Sequence, residues 1–262
     1  MAGLLEGKTA VIYGGGGGIG AGVATTFARE GARIFLAGRT RSRLDAVVKE
    51  IKAAGGSAEA AVVDAMDEAA VDKHLQTVVT AAGGVDVSFN LISRGDAQGK
   101  PLVDMKTEDL LRAVVTGLQS SFITARAAAR QMIKQRSGVI LHLNSASGDA
   151  AMPGMGSTGP ADAATESFMR YLAAELGPQG IRVYGIWTAG VDETLTAEKM
   201  AAVGGPNMPD LAMIKAGLAQ MAALRRAPRL ADVAEVAAFL ASDRAAGMTG
   251  GMANVTSGIV LR

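Results

Sequence analysis

The chain has 262 residues, 49% of them apolar, which is enough to bury a large core, and α/β chains of this length commonly form one domain. Its 26 basic residues nearly balance 25 acidic ones and no basic block stands out, so the electrostatic footprint of a nucleic-acid binder is missing. With no cysteine there is neither a disulfide framework nor a thiolate metal site, and His74 and His142 lie too far apart for a local metal motif.

In chain order, short apolar or β-branched runs at 9–13, 33–37, 60–63, 85–90, 139–144 and 181–187 predict strands, with longer segments of helical period between them. Gly31, the pair Gly55 and Gly56, and Gly177-Pro178 mark where helices stop. This alternation reads as βαβ units, and right-handed crossovers of such lengths make a doubly wound parallel sheet with helices on both faces, a Rossmann-type α/β fold spanning 1–262 as a single domain. The interval 192–228, rich in Gly, Pro, Ala and Met, interrupts the rhythm before a terminal helix expected near Ala231. It reads as a substrate lid or as an ordinary helical excursion. Met200, Met208, Met213 and Met221, with Met152 and Met155, would give such a lid an adaptable apolar wall, or would simply fill core.

The segment YGGGGGIG follows the first strand and opens a helix over 21–30. Glycine there permits a tight turn, lets backbone N–H groups approach a pyrophosphate, and lets the helix pack on the strand. Gly14, Gly18 and Gly20 hold the informative positions, and Gly16, Gly17 and Ile19 complete the cradle at a helix N-terminus. The second strand ends LAGRT, where an acidic residue would grip a free ribose 2′-hydroxyl. Gly38 and Arg39 stand there instead. A guanidinium matches a phosphate in charge and geometry, so the expected dinucleotide is NADP(H), although Arg39, Arg41 and Arg43 could also be the solvated start of a helix.

These features resemble the short-chain dehydrogenase/reductase family over nearly the whole chain. The loop is similar to the family's Thr-Gly-x-x-x-Gly-x-Gly, with Tyr13 for Thr, and the likeness extends to Asp64 in VVDAMD, Asn90 in DVSFN, Ser145 in LNSASG, GPQGIRV, and FLASDRAAGMTGG. The resemblance implies that Asp64 and Ala65 meet the adenine and that Asn90, Leu91 and Ile92 lie along the cofactor ribose. It also implies that Val191, beyond the turn WTAG, joins the cofactor residues.

The family's usual proton donor does not come with it. Members ordinarily carry a Tyr, a Lys four residues later, a Ser and an Asn. Only Ser145 matches; Thr158 falls at the Tyr position, Asp162 at the Lys position, and Gly117, or Thr116 by a slip of one, at the Asn position. An aliphatic hydroxyl is a far weaker acid than a phenol, whose pKa is about 10. A carboxylate raises the pKa of a neighbouring acid where a lysine lowers it. No lysine lies between Lys134 and Lys199 to rescue the pair. The catalytic candidates are therefore Ser145, Thr158 and Asp162.

Two readings follow. In one, the chain reduces a small organic substrate that needs no strong acid, such as an iminium cation stabilised by Asp162 or an activated C=C. In the other, it is a silent NADP(H)-binding regulatory or partner subunit; a non-redox cyclase or lyase is a third option. His142 reads as a structural strand residue. The resemblance also implies a homo-oligomer, tetramer or dimer. The start MAGLLEGKTAV and the lack of a long apolar run lead to the expectation of a cytoplasmic protein with no membrane span and no metal.

Overall fold

In the computed structural model, which describes residues 2–204 and 210–261, the strand β1 (Thr9–Tyr13) is buried at every position. A strand covered on both faces reads as an unbroken apolar run, and its alternate residues enter two different cores. Ala10 and Ile12 join one, while Val11 and Tyr13 join the other. The next strand, β2 (Arg33–Gly38), divides in the same way, with Ile34 and Leu36 on the first side and Phe35 and Ala37 on the second.

The first core is covered by α1 (Gly18–Arg29), α2 (Arg41–Ala53) and the C-terminal α8 (Leu230–Ala241). The second is covered by α3 (Glu68–Ala82), α4 (Thr107–Gln135) and α5 (Thr158–Leu176). Between these layers lie β3 (Ser57–Val62), β4 (Val87–Asn90), β5 (Gly138–Ser145), β6 (Ile181–Thr188) and β7 (Met252–Val255). All seven strands are parallel in the order β3-β2-β1-β4-β5-β6-β7. The expected doubly wound Rossmann sheet is therefore present. Its order reverses between β1 and β4, which opens a crevice beyond their C-terminal ends, where such folds bind ligands.

Three elements differ from the sequence expectation for local reasons. β3 starts at Ser57 rather than at 60 because its alanines carry little strand preference and its edge position leaves half its residues exposed. The first turn of α1, Gly18-Ile19-Gly20, is hidden by the poor helix propensity of glycine. β7, flanked by Gly250 and Gly251, is four residues long and carried no apolar run to announce it.

The interval 192–228 includes, among its described residues, two helices, α6 (Ala197–Gly204) and α7 (Leu211–Met221). It packs over the crevice side: the Gln98 N–H donates to the Val203 carbonyl at 2.9 Å, and Lys215 pairs with Asp192 at 3.1 Å. The methionine wall does not form as a unit. Met213 and Met221 are exposed, Met152, Met155 and Met200 are half-buried, and Met208 lies outside the described residues. Among the described residues no helix is long and apolar enough to cross a membrane.

Candidate active site

The crevice begins where β1 and β4 end side by side, Tyr13 in register with Asn90. Gly14 turns there with φ +77°, and a β-carbon on it would sit 2.4 Å from the Leu91 carbonyl oxygen, so only glycine lets the two chains pass. Added β-carbons at Gly20 and Gly18 would strike the Gly14 carbonyl at 2.2 Å and the Thr194 methyl at 2.9 Å. Gly17 caps α1 without a side-chain hydrogen bond, and no acidic residue stands in the first turn. The N–H groups of that turn therefore point into the crevice with the positive end of the helix behind them, the arrangement that holds a pyrophosphate. Ile19 anchors the turn against the first core.

The rim of this cradle is basic. A β-carbon on Gly16 would touch Arg43 at 3.0 Å, which puts the first turn of α2 against the loop. Arg41 is occupied by Asp45 at 2.9 Å, whereas exposed Arg39 and Arg43 have no ion-pair partner among the described residues. Farther along, Asp64 is exposed and turns its own chain by accepting the Met66 N–H at 3.0 Å, while Ala65 beside it is buried. Asn90 does the same with the Ile92 N–H at 3.1 Å and donates to the Ser120 hydroxyl at 3.2 Å. Its carboxamide thereby steers Leu91 and Ile92 past Gly14. Val191 is buried behind the short turn that carries Thr194 over Gly18. Thr194 was not foreseen; its only signal was its place four residues beyond Gly190.

The catalytic candidates meet at the C-terminal end of β5 and the start of α5. Ser145 ends β5, and Thr158 and Asp162 stand one turn apart on α5. Two partners that the sequence did not reveal change what they can do. Thr158, buried, accepts a hydrogen bond from Gln98 at 2.9 Å. Asp162 is 0% exposed, and its Oδ1 accepts from the Arg94 guanidinium at 2.6 Å. Its Oδ2 accepts the Ser145 hydroxyl at 2.5 Å. Arg94 reaches back to Asp96 at 3.0 Å, so one guanidinium bridges two carboxylates. The sequence left open whether Asp162 faces the cofactor ribose or a cationic substrate; here its charge is covered and already paired within the protein.

Gly117 explains how Arg94 arrives there. A β-carbon at 117 would lie 2.7 Å from Arg94 Cδ, so the Arg94 side chain passes α4 through the space that a side chain at 117 would fill. Burial pushes the Asp162 carboxyl up to about 6, with Arg94 and the Ser145 hydroxyl pulling the other way. Burial would also lower Arg94, but Asp162 and Asp96 together hold it above its ordinary value. Behind them, Asn144 donates to the Asp162 carbonyl and to Glu166, both at 3.3 Å, and the Trp187 indole donates to Glu166 at 2.8 Å. His142 is fully buried, and burial drives it down to about 4, in keeping with a neutral structural imidazole.

The arrangement is therefore a dinucleotide cradle joined to a polar cluster in which charges are compensated within the protein. A family model described as enoyl-(acyl carrier protein) reductase matches residues 15–260. The chain belongs to the short-chain dehydrogenase/reductase family. It is 30% identical to a 3-oxoacyl-(acyl-carrier-protein) reductase of Thermotoga maritima, covering 98% of this chain and 99% of that protein. It is likewise 30% identical to the 7alpha-hydroxysteroid dehydrogenase of Escherichia coli, over 97% and 94% of the two. Among solved structures, an NAD+-bound xylitol dehydrogenase superposes with a TM-score of 0.87 at 27% identity, covering 97% of this chain and 99% of that one. Family membership makes the chain an oxidoreductase by type.

Proposed function

We propose that this chain is an NADP(H)-dependent oxidoreductase that moves a hydride to or from a small organic substrate, a carbonyl, an imine or an activated C=C, without the family's tyrosine and lysine. The observation that carries the reading is the intact cradle from Gly14 to Gly20 with two arginines on its rim, Arg39 and Arg43, that have no ion-pair partner among the described residues. Relatives described with NAD+ and with NADH bound support a nicotinamide cofactor, and the arginines support its 2′-phosphorylated form. When bound, the nicotinamide supplies or accepts the hydride. The chain's own part is to fix the pyrophosphate at the N-terminus of α1, to hold the 2′-phosphate by charge, and to present Ser145 at the end of β5. Because Asp162 is covered and paired, it gives no ground for preferring a cationic imine over the other acceptors.

The test is a titration with NADPH and with NADH followed by nicotinamide fluorescence. NADPH is expected to bind at least about tenfold more tightly, as one recognised charge pair provides. Equal affinities remove the Arg39 argument.

The alternative, a silent NADP(H)-binding subunit, draws on the weak acidity of the Thr158 hydroxyl, which accepts from Gln98, and on the commitment of the Ser145 proton to Asp162. Any substrate-dependent oxidation of NADPH refutes it. For assembly, the exposed apolar residues Leu111, Val115 and Phe122 on α4 and Tyr171 on α5 support a homo-oligomer through these helices. Sedimentation showing only monomer at micromolar concentration would exclude it.

A further inference from the structure

Ser145, Asp162 and Arg94 form one connected unit. An ionised carboxylate only accepts hydrogen bonds, so the single proton of the Ser145 hydroxyl goes to Asp162 Oδ2 at 2.5 Å. The Ser145 oxygen in turn receives the Ser147 N–H at 3.2 Å and lies 2.8 Å from the Ser147 hydroxyl, which can rotate away. Asp162 is fully covered, whereas Ser145 is half-buried at the crevice end of β5. Ser145 is thus the end of the unit that a substrate oxygen can reach, and Asp162 is the group behind it.

We propose that Ser145 and Asp162 form the proton relay of this site, with Arg94 as the positioning residue that keeps the carboxylate aimed at Ser145. The inference rests on the reading of the chain as a nicotinamide-dependent oxidoreductase. In the oxidative direction a substrate hydroxyl gives its proton to Ser145 Oγ while the Ser145 proton passes to Asp162. The substrate C–H pair leaves as hydride to the oxidised nicotinamide, and the O–H pair closes the C=O bond. In reduction the sequence starts from protonated Asp162: hydride adds to the carbonyl carbon, Ser145 protonates the oxygen, and Asp162 restores the Ser145 proton. Atoms and charge balance in both directions, with solvent water supplying or taking up the one proton that Asp162 exchanges per turnover.

The surroundings suit this role. Arg94 and Asp96 face Asp162 from the segment after β4, Ser145 and Ser147 from the end of β5, and the Asn144 carboxamide from within it. Glu166 lies one turn farther along α5, tied to Asn144 and Trp187 and paired with Arg170 at 4.0 Å, and on α4 Gly117 leaves room for Arg94. Burial then raises the Asp162 carboxyl into the range where it can both take and give a proton near neutral pH.

The test uses the full chain labelled with carbon-13 at its aspartate carboxyls, the Asp162 signal being assigned by its loss in Asp162→Asn. NADPH and NADH binding is measured on every variant; absence of both in the wild type overturns the underlying reading, whatever the carboxyl does. The expected result is an Asp162 signal that titrates near neutral pH, moves upward by about one unit or more in Arg94→Met, and returns most of the way in Arg94→Lys. NADPH-dependent reduction of phenanthrenequinone, used as a carbonyl probe, should fall as pH rises through the same midpoint in the wild type and lose that dependence in Asp162→Asn. It should drop about 100-fold or more in Ser145→Ala at unchanged NADPH affinity. A carboxyl that stays ionised down to about pH 4 marks an ordinary ion pair and overturns the relay. So does a Ser145→Ala rate within about threefold of the wild type.

Discussion

Gly14 and Gly117 are both positions where a side chain would strike a neighbour, but the neighbours differ. At Gly14 the obstacle is the backbone of Leu91, fixed by the pairing of β1 with β4. At Gly117 it is the side chain of Arg94, held in place by Asp162 and Asp96. The cofactor side of the crevice is therefore specified by backbone geometry, and the substrate side by a set of mutually compensating charges. Backbone constraints tolerate no substitution at their key positions, whereas a charge set can be rebuilt in concert while the fold persists.

The comparison is broken most severely at Gly14. Gly14→Ala forces an alanine into a left-handed conformation against a carbonyl that cannot move, and should abolish measurable NADPH binding while costing about 2–4 kcal/mol of stability. Fluorescence titration and urea denaturation measure the two effects. On the other side, Asp162 has a folded pKa of about 6 against an ordinary value of 3.8. A raised pKa stabilises the fold below the unfolded value, and that contribution is lost as pH rises through the folded value. Relative to Asp162→Asn, the wild type should thus lose about 3 kcal/mol of stability between about pH 4 and pH 7. Denaturation at a series of pH values should show that slope.

Gly117→Asn sharpens the contrast further. Overpacking against a pinned guanidinium should cost about 1–3 kcal/mol, and Arg94→Ala in the same chain should recover part of it, giving a coupling that denaturation of the double-mutant cycle reads directly. The smallest effect is expected at Arg39, where no packing is at stake. Arg39→Glu should weaken NADPH about tenfold and leave NADH nearly unchanged; equal losses for both would assign Arg39 a general rather than a phosphate-directed role.

The same contrast governed what the sequence could reveal. The cradle was legible because glycines at fixed spacing between a strand and a helix have few other uses, and the strands of the sheet interior were legible because both faces are buried. Thr158 and Asp162 could be singled out by counting forward from Ser145, but their partners could not. Arg94 lies 68 residues before Asp162, and only the sheet order brings the segment after β4 against α5. Nothing local in NLISRGD marks that arginine as the partner of a buried carboxylate. A signal did exist in combination: a glycine at 117, an aspartate at 162 and an arginine after NLIS are individually weak and together describe one ion pair with the space to form it. The first residues of β3 and the whole of β7 escaped notice for a simpler reason, since small residues at a sheet edge leave little pattern.

The passage of Arg94 across Gly117 also bears on how this site can change. The pair has no easy first step out of it: a side chain added at 117 meets the arginine, and loss of the arginine leaves Asp162 sealed in without that counter-charge. Replacement of Asp162 by lysine would set two cations side by side. Each single change passes through a damaged intermediate, so the arginine and the aspartate can be exchanged only together, while the glycine cradle beside them is left untouched.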